Sequence, residues 1–144
     1  MWPRLTSSPT STPPAPRGDR ARRVGGVLAL LNDGDARRSL ATEVVAVPHL
    51  ADSEGAHALR AQAHRGTVGA ADARAALDRW ARLGVRRFGV VGLLGRIWEL
   101  RDNLTAYDAS YVALAEALGC GLVTADARLA QAAGPICPIT VVRR

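Results

Sequence analysis

The sequence predicts a single α/β domain in which a central, mostly parallel β-sheet has helices on both faces. Short runs rich in β-branched residues alternate along the chain with longer segments whose apolar residues repeat at helical spacing, and the connections are short. The chain has 144 residues, which is enough for one hydrophobic core and too few for two independent ones. We therefore expect one domain.

The first 23 residues differ from the rest of the chain. They are rich in Pro, Ser, Thr and Arg and have no hydrophobic period, so they cannot bury enough apolar surface to offset the entropy lost on ordering. We expect a disordered tail at residues 1–23 and a folded domain at residues 24–144. Order should begin with VGGVLALLNDGD, where an apolar run followed by turn-forming residues predicts the first helix.

A strand and a helix follow. The segment TEVVAVPHL carries three valines and ends near Pro48, as a short buried strand does. The helix ADSEGAHALRAQAHRG comes directly after it, with Asp52 or Ser53 as the capping residue and Gly66 as the stop. A second helix is predicted over about 70–83, and the two should form a hairpin. The apolar face of the second helix comprises Ala73, Ala76, Leu77 and Trp80.

Six further elements complete the pattern. In order, they are the strand VRRFGVV, the helix LLGRIWELRDN, the helix LTAYDASYVALAEALG with its stop at Gly119, the strand CGLVTAD, the short helix ARLAQAAG and the strand ITVV.

The charge of the chain is strongly basic. All 19 positively charged residues are Arg, and the formal net charge is +6. Guanidinium groups match phosphate oxygens, so this charge favours a polyanionic partner. The alternative is codon bias expressed on a solvated surface.

Cysteine usage and hydropathy indicate the cellular compartment. Cys120 and Cys137 are too few and too far apart for a disulfide scaffold, so we interpret them as reduced, buried thiols. The N-terminal stretch lacks the apolar region of a signal peptide, and no window resembles a membrane span. These features predict a soluble cytoplasmic protein.

Three acidic residues fall where a parallel sheet binds its ligands, outside the carboxyl ends of the strands. Glu54 opens the helix after the first valine-rich strand, Asp108 lies in the first turn of the LTAYDASYV helix, and Asp126 ends the GLVTAD strand. Carboxylates that converge repel each other, so such a cluster usually needs a divalent cation, and Mg²⁺ or Mn²⁺ suits oxygen ligands. Alternatively, Glu54 and Asp108 lie there because acids favour the first turn of a helix.

The stretch NLTAYDASYVALAEALGCGLVTADARLA resembles the C-terminal signature of PIN-domain ribonucleases of the VapC toxin type. The similarity extends back through RIWELRDN and PHLADSEGAHALR to VLALLNDGD, and so covers roughly residues 24–142. The resemblance implies a PIN-like three-layer domain and a Mg²⁺- or Mn²⁺-dependent endoribonuclease toxin that cleaves single-stranded or structured RNA. It also implies a VapB-like antitoxin partner and a homodimer.

The family's functional residues can be carried over onto this sequence. Glu54, Asp108 and Asp126 match three of the four acids that bind the metal and are catalytic in the family. Thr124 resembles the supporting hydroxyl on the strand before the last acid. Thr105 is predicted to cap the helix that carries Asp108, a structural role that is favoured over a catalytic one.

The first of the four acids has no counterpart. The family's first strand ends in Asp-x-Ser, and the corresponding residues here are Arg23, Val24 and Gly25, with an arginine in the aspartate position. No strand can be read from these residues, so we expect the first strand to be absent or irregular. Asp19 precedes that position, and Asp33 and Asp35 lie at the far end of the following helix, so none is a good substitute.

The missing aspartate has two explanations. A misassigned start codon or an upstream frameshift is favoured, and degeneration of the gene is the other. The alternative to an active nuclease is a catalytically impaired PIN-like module that still binds RNA or an antitoxin.

Two further groups are weaker candidates. Arg96 and Arg101 flank Trp98 and are candidate substrate-binding residues, although Trp98 itself is expected in the core. His57 and His64 share a helix face, and a surface or packing role is favoured over metal binding.

Overall fold

The computed structural model describes residues 22–25 and 44–142 of the chain. In this part of the chain, five parallel strands form one sheet in the order β3-β2-β1-β4-β5. The strands are β1 (Arg22–Gly25), β2 (Val44–Pro48), β3 (Arg86–Phe88), β4 (Gly121–Thr124) and β5 (Ile139–Val141). The α/β class and the parallel sheet predicted from the sequence are confirmed.

The described helices alternate with these strands. They are α1 (Leu50–His64), α2 (Ala70–Arg82), a 3-10 turn (Val91–Leu93), α3 (Leu94–Glu99), α4 (Ala106–Leu118) and α5 (Ala127–Gln131). Each matches a predicted segment to within a few residues. The first helix, predicted within residues 24–35, lies outside the described residues except for its first two positions, which belong to β1. No helix in the described ranges is long and apolar enough to cross a membrane.

The first strand corrects the sequence-based expectation that it is absent or irregular. The backbone of Arg22–Gly25 pairs in parallel with β2 on one side and β4 on the other, and Val24 lies opposite both Ala46 and Leu122. Because RRVG has a single β-branched residue, local propensity gave no signal. The strand is instead specified by its neighbours, whose backbone N–H and C=O groups pair with it. Arg22 and Arg23 therefore belong to the sheet rather than to the tail.

Helix α4 is the centre of the core. All residues from 109 to 115 are buried, and the helix packs against β1, β2 and β4. A helix that is buried on all sides needs small or apolar residues around its whole circumference, and the five alanines in its sequence allow this close approach. Gly119, with a φ of 61°, ends the helix in the left-handed conformation, as the sequence predicts.

The start of α1 differs from the prediction. The N-cap position is His49, and neither Asp52 nor Ser53 caps the helix, because it begins directly after Pro48. Asp52 instead accepts a hydrogen bond from Trp80 Nε1 at 2.7 Å and one from Arg87 Nε at 2.9 Å. It thereby joins α1, α2 and β3, and α1 and α2 pack together as the predicted hairpin.

Trp98 also departs from its predicted place in the core. Its side chain is 69% exposed, whereas Ile97 and Leu100 of the same segment are buried. The short helix α3 turns the face with these two residues inward, and Trp98 lies about 100° around the helix from Ile97. Cys120 and Cys137 are partly buried and form no disulfide, as expected.

Candidate active site

The strand order determines where a ligand site can form. The chain builds β1, β2 and β3 toward one edge of the sheet and then crosses back to build β4 and β5 on the other side of β1. The change of direction lies between β1 and β4, and parallel sheets bind ligands outside the carboxyl ends of the strands at such a point. Helix α4 precedes β4 and packs on the sheet, so its N-terminus lies at this same edge.

Glu54 lies on α1, in the second turn after β2. Its Oε2 accepts a hydrogen bond of 2.7 Å from the hydroxyl of Tyr111 on α4. Burial raises the pKa of the Glu54 carboxyl, the hydrogen bond from Tyr111 opposes the shift, and the negative charge of Asp108 adds to it. Glu54 and Asp108 are therefore close enough to repel each other.

Asp108 lies in the first turn of α4 and is held by the residue that caps the helix. Thr105 Oγ1 accepts a hydrogen bond of 3.1 Å from the backbone N–H of Asp108, which confirms the predicted cap. The same hydroxyl donates to Asp108 Oδ2 at 2.8 Å. Thr105 thus caps the helix and also orients the Asp108 carboxylate.

Asp126 follows β4 by two residues and is the N-cap of α5. Its backbone N–H donates to Thr124 Oγ1 at 3.1 Å, and Thr124 is buried, so the predicted supporting hydroxyl is in contact with this acid. The Asp126 carboxylate accepts hydrogen bonds from Arg128 Nε at 3.1 Å and Nη2 at 2.8 Å, and from the Arg128 backbone N–H at 2.9 Å. The Asp126 carboxylate and, more weakly, Asp108 raise the pKa of the Arg128 guanidinium.

None of these hydrogen bonds joins one of the three acids to another. The acids are linked by charge effects: Asp108 raises the pKa of Glu54, and both Asp126 and Asp108 raise the pKa of Arg128. No three Asp, Glu, His or Cys side chains among the described residues are grouped closely enough to hold a metal ion. The donors are all oxygens, which fits Mg²⁺ or Mn²⁺ chemically, but Asp126 would have to exchange its bonds with Arg128 for bonds to the ion.

The position of the first family acid contributes no carboxylate. β1 is the middle strand of the sheet, between β2 and β4, and its sequence RRVG contains no acid. Asp19, Asp33 and Asp35 lie outside the described residues. The described site therefore has three candidate acids and an arginine at the fourth position.

Arg96 lies in a different environment from the one predicted. Its guanidinium forms an ion pair with Glu116 at 2.7 Å and another with Glu99 at 3.0 Å, and it donates to the backbone oxygen of Gly134 at 2.7 Å. Glu116 also accepts from the backbone N–H of Ile136 at 2.9 Å. These contacts join α3, α4 and the loop before β5, so the Arg96 guanidinium is engaged within the protein.

Arg101 forms fewer contacts within the protein: its Nη1 donates to the backbone oxygen of Trp98 at 3.0 Å, its Nη2 lies 3.7 Å from Asp102 Oδ2, and its side chain is 47% exposed. Its guanidinium lies over the exposed ring of Trp98, 4.9 Å from the ring centroid. His57 and His64 are exposed on α1 and belong to no metal-binding group among the described residues, in keeping with the favoured surface role.

Two contributors to the site were missed from the sequence. Tyr111 is three residues after Asp108, a spacing that places both side chains on one face of α4, and this could have been noticed. Arg128 is two residues after Asp126, but nothing in the sequence shows that its side chain folds back onto that carboxylate.

Comparison with known proteins identifies relatives over most of the chain. A family model for the PIN domain matches residues 27–135. Ribonuclease VapC9 of Mycobacterium tuberculosis is 63% identical over 118 residues, which cover 82% of this chain and 93% of that protein. Ribonuclease VapC1 of the same organism is 44% identical over 119 residues, covering 82% of this chain and 86% of that protein.

Solved structures share the fold. The crystal structure of PAE2754 from Pyrobaculum aerophilum superposes with a TM-score of 0.63 at 28% identity, covering 83% of each chain. VapBC2 from Rickettsia felis, solved bound to a DNA fragment from its promoter, gives a TM-score of 0.62 at 13% identity, covering 83% of this chain and 98% of that chain. At that identity, the second likeness shows the fold alone.

Proposed function

The chain belongs to the PIN-domain family, among the VapC ribonucleases, and we propose that it is a Mg²⁺- or Mn²⁺-dependent endoribonuclease toxin of a toxin–antitoxin pair. The observation that carries the proposal is the position of Glu54, Asp108 and Asp126 at one edge of the sheet, each held by a hydrogen-bonding neighbour. The all-oxygen donor set supports a hard divalent cation.

In this proposal, Glu54, Asp108 and Asp126 would hold the ion and act as the catalytic acids. When bound, the ion would make water a better nucleophile at neutral pH and offset the charge that develops on the phosphodiester. Thr105 orients the Asp108 carboxylate through its hydroxyl, and Thr124 fixes the backbone at Asp126.

The proposed substrate is single-stranded or structured RNA. Trp98 is exposed, and Arg101 lies against its ring, an arrangement suited to stacking an unpaired base and contacting its phosphate. The net charge of +6 would attract the RNA from a distance. We assign Arg101 to substrate binding and leave out Arg96, whose donors are used inside the protein.

The proposed partners are a VapB-like antitoxin and a second copy of the chain, with the toxin acting in the cytoplasm. The support for the antitoxin is the similarity to VapC ribonucleases. Val91 and Leu94 are large exposed side chains close in sequence to Trp98, and they offer apolar surface to a protein partner.

A second candidate function is an impaired module that binds RNA or an antitoxin without cleaving. The specific observation in its favour is that β1, at the centre of the site edge, contains no acid and has Arg23 in the family's aspartate position. An arginine there would repel a cation instead of binding it.

RNA cleavage separates the two candidates. We would incubate single-stranded RNA and tRNA with Mg²⁺ or Mn²⁺ and compare the chain, its Arg23→Asp variant and an Asp108→Asn variant. Asp78→Asn is the matched control, because Asp78 lies on the outer part of α2 in an exposed pair with Arg74. Cleavage by the chain that Asp108→Asn abolishes supports the active nuclease.

The other outcomes are equally decisive. Cleavage that begins only with Arg23→Asp supports the impaired module. If the unaltered chain and its Arg23→Asp variant are both folded, and neither cleaves RNA nor binds Mn²⁺ in a calorimetric titration, the nuclease proposal is wrong.

A further inference from the structure

Tyr111 connects the two helices that carry Glu54 and Asp108, and it has no role in the function proposed so far. We propose that Tyr111 is a positioning residue for Glu54: its hydroxyl holds Oε2 and so sets the orientation of the carboxylate that would bind the cation. This inference rests on the proposed function, because it concerns how that metal site is formed.

The contact itself is short and joins distant parts of the chain. The Tyr111 hydroxyl lies 2.7 Å from Glu54 Oε2, within the usual range for a hydroxyl that donates to a carboxylate. The two residues are 57 positions apart in the sequence and belong to different helices, α4 and α1. A single hydrogen bond therefore fixes the direction of the Glu54 side chain relative to the N-terminal turn of α4.

The donor is rigidly placed. Tyr111 is 7% exposed and lies within the buried run of α4, where close packing holds the ring in one orientation. A buried phenol hydroxyl needs a polar partner, and here that partner is a carboxylate rather than a backbone group. Glu54 is only partly buried, so the fixed end of the pair is the tyrosine.

The direction of the hydrogen bond is also determined. An ionised carboxylate has only acceptor oxygens, so the Tyr111 hydroxyl is the donor and Glu54 Oε2 is the acceptor. Carboxylates that bind metals are commonly held by such outer partners, and loss of a partner weakens metal binding by about 10-fold to 100-fold.

The alternative is that Tyr111 only fills the core and that Glu54 merely satisfies its hydroxyl. Tyr111→Phe separates the two, since it keeps the ring and removes the oxygen. Tyr107→Phe is the matched control, because Tyr107 lies on the same helix, one turn earlier, and is 65% exposed.

The experiment measures Mn²⁺ affinity of the full chain by calorimetry and by electron paramagnetic resonance. We expect Tyr111→Phe to weaken Mn²⁺ binding by about 10-fold to 100-fold and Tyr107→Phe to leave it unchanged. If Tyr111→Phe lowers the Tm but leaves the Mn²⁺ affinity unchanged, the positioning role is wrong.

A double-mutant cycle tests whether Tyr111 acts through Glu54. In a Glu54→Gln background, adding Tyr111→Phe should cause no further loss of Mn²⁺ affinity, because the ligand it positions is already altered. An equal additional loss in that background contradicts the proposal. The comparison uses affinities rather than activity, so it also holds for a chain that does not cleave RNA.

Cleavage kinetics give a further readout. For Tyr111→Phe, the Mn²⁺ concentration at half-maximal rate should rise by the same factor as the dissociation constant, whereas KM for RNA and kcat at saturating Mn²⁺ should stay unchanged. A lower kcat at saturating Mn²⁺ with an unchanged dissociation constant overturns the proposal.

The design separates this inference from the proposed function. If the unaltered chain binds Mn²⁺ and Tyr111→Phe binds it equally well, only the positioning role fails. If the unaltered chain does not bind Mn²⁺, the same pair of variants is compared in the Arg23→Asp background. Absence of Mn²⁺ binding there as well overturns both.

Discussion

Glu54 is a candidate acid whose pKa is shifted by the groups around it. Its carboxylate is partly buried, receives a hydrogen bond from Tyr111 and faces the negative charge of Asp108. The first and third of these effects oppose ionisation, and together they outweigh the hydrogen bond, so the pKa is raised. A bound cation would reverse the balance by stabilising the charged form.

This raised pKa predicts a pH dependence of stability in the metal-free protein. Between the ordinary pKa of 4.5 and the raised folded value, the folded protein binds more protons than the unfolded chain, so stability falls as the pH rises through that window. We expect the Tm of the unaltered chain to fall relative to that of Glu54→Gln over this range. Parallel Tm curves, measured by calorimetry without metal, would contradict this.

Arg128 supplies a positive charge where the proposed cation would bind. Its guanidinium contacts both oxygens of Asp126, with 2.8 Å and 3.1 Å as the two separations. A cation must compete with it, so Arg128→Ala should tighten Mn²⁺ binding a few-fold. Arg74→Ala removes the same charge from an exposed pair on α2 and is the control for net charge. Weaker Mn²⁺ binding by Arg128→Ala, measured by calorimetry, would show that Arg128 supports the site rather than competing for it.

At the scale of elements, Asp52 joins the helical hairpin to the sheet. It accepts hydrogen bonds from Trp80 on α2 and Arg87 on β3. The Trp80 ring is 3% exposed, so its indole N–H has little access to water. The sequence predicts that Asp52 caps a helix. In the structure, its carboxylate instead accepts the hydrogen bond of the buried Trp80 indole N–H.

Removal of this acceptor should be costly. Asp52→Ala leaves the Trp80 N–H buried without its acceptor, and we expect the free energy of unfolding to fall by about 1–3 kcal/mol. Asp78→Ala removes an exposed ion pair with Arg74 on the same hairpin and should change it by less than about 0.5 kcal/mol. Urea denaturation measures both, and equal effects would show that Asp52 contributes no more than a surface charge.

At the scale of the whole molecule, β1 joins the two halves of the sheet. It pairs with β2 and β4, so the strands on either side of it depend on a four-residue segment. The arrangement of the candidate acids depends on β1 as well. Glu54 follows β2 and Asp126 follows β4, and β1 lies between these two strands.

A proline in β1 tests this dependence. Val24→Pro removes a backbone donor from the central strand, and we expect the free energy of unfolding to fall by about 1–3 kcal/mol, because a buried backbone acceptor loses its partner. The control is Val141→Pro on the edge strand β5. The N–H of Val142 donates to Thr124, so that of its neighbour Val141 points away from β4. If Val24→Pro and Val141→Pro lower the Tm equally, β1 contributes no more to stability than the edge strand β5.

Much of the fold could be predicted from the sequence because its signals are local. The valine-rich β2, the alanine-rich α4 and its stop at Gly119 follow from patterns within a few residues of each other. The three acids could be assigned for a similar reason, since the place of each in its own helix or strand end already puts it at the carboxyl edge of a parallel sheet.

The sequence by itself determined the α/β class and the family, and it predicted Glu54, Asp108 and Asp126 as the acids of the site. The tertiary structure decided which distant groups meet: Tyr111 with Glu54, Trp80 with Asp52, Arg96 with Glu116, and β1 with both of its neighbours. The physical reason is that each of these contacts joins residues far apart in the chain, whereas periodicity and capping patterns report only on neighbours within a turn or a strand. The arginine-rich β1 shows this most clearly, because its pairing depends on the strands beside it and not on its own side chains.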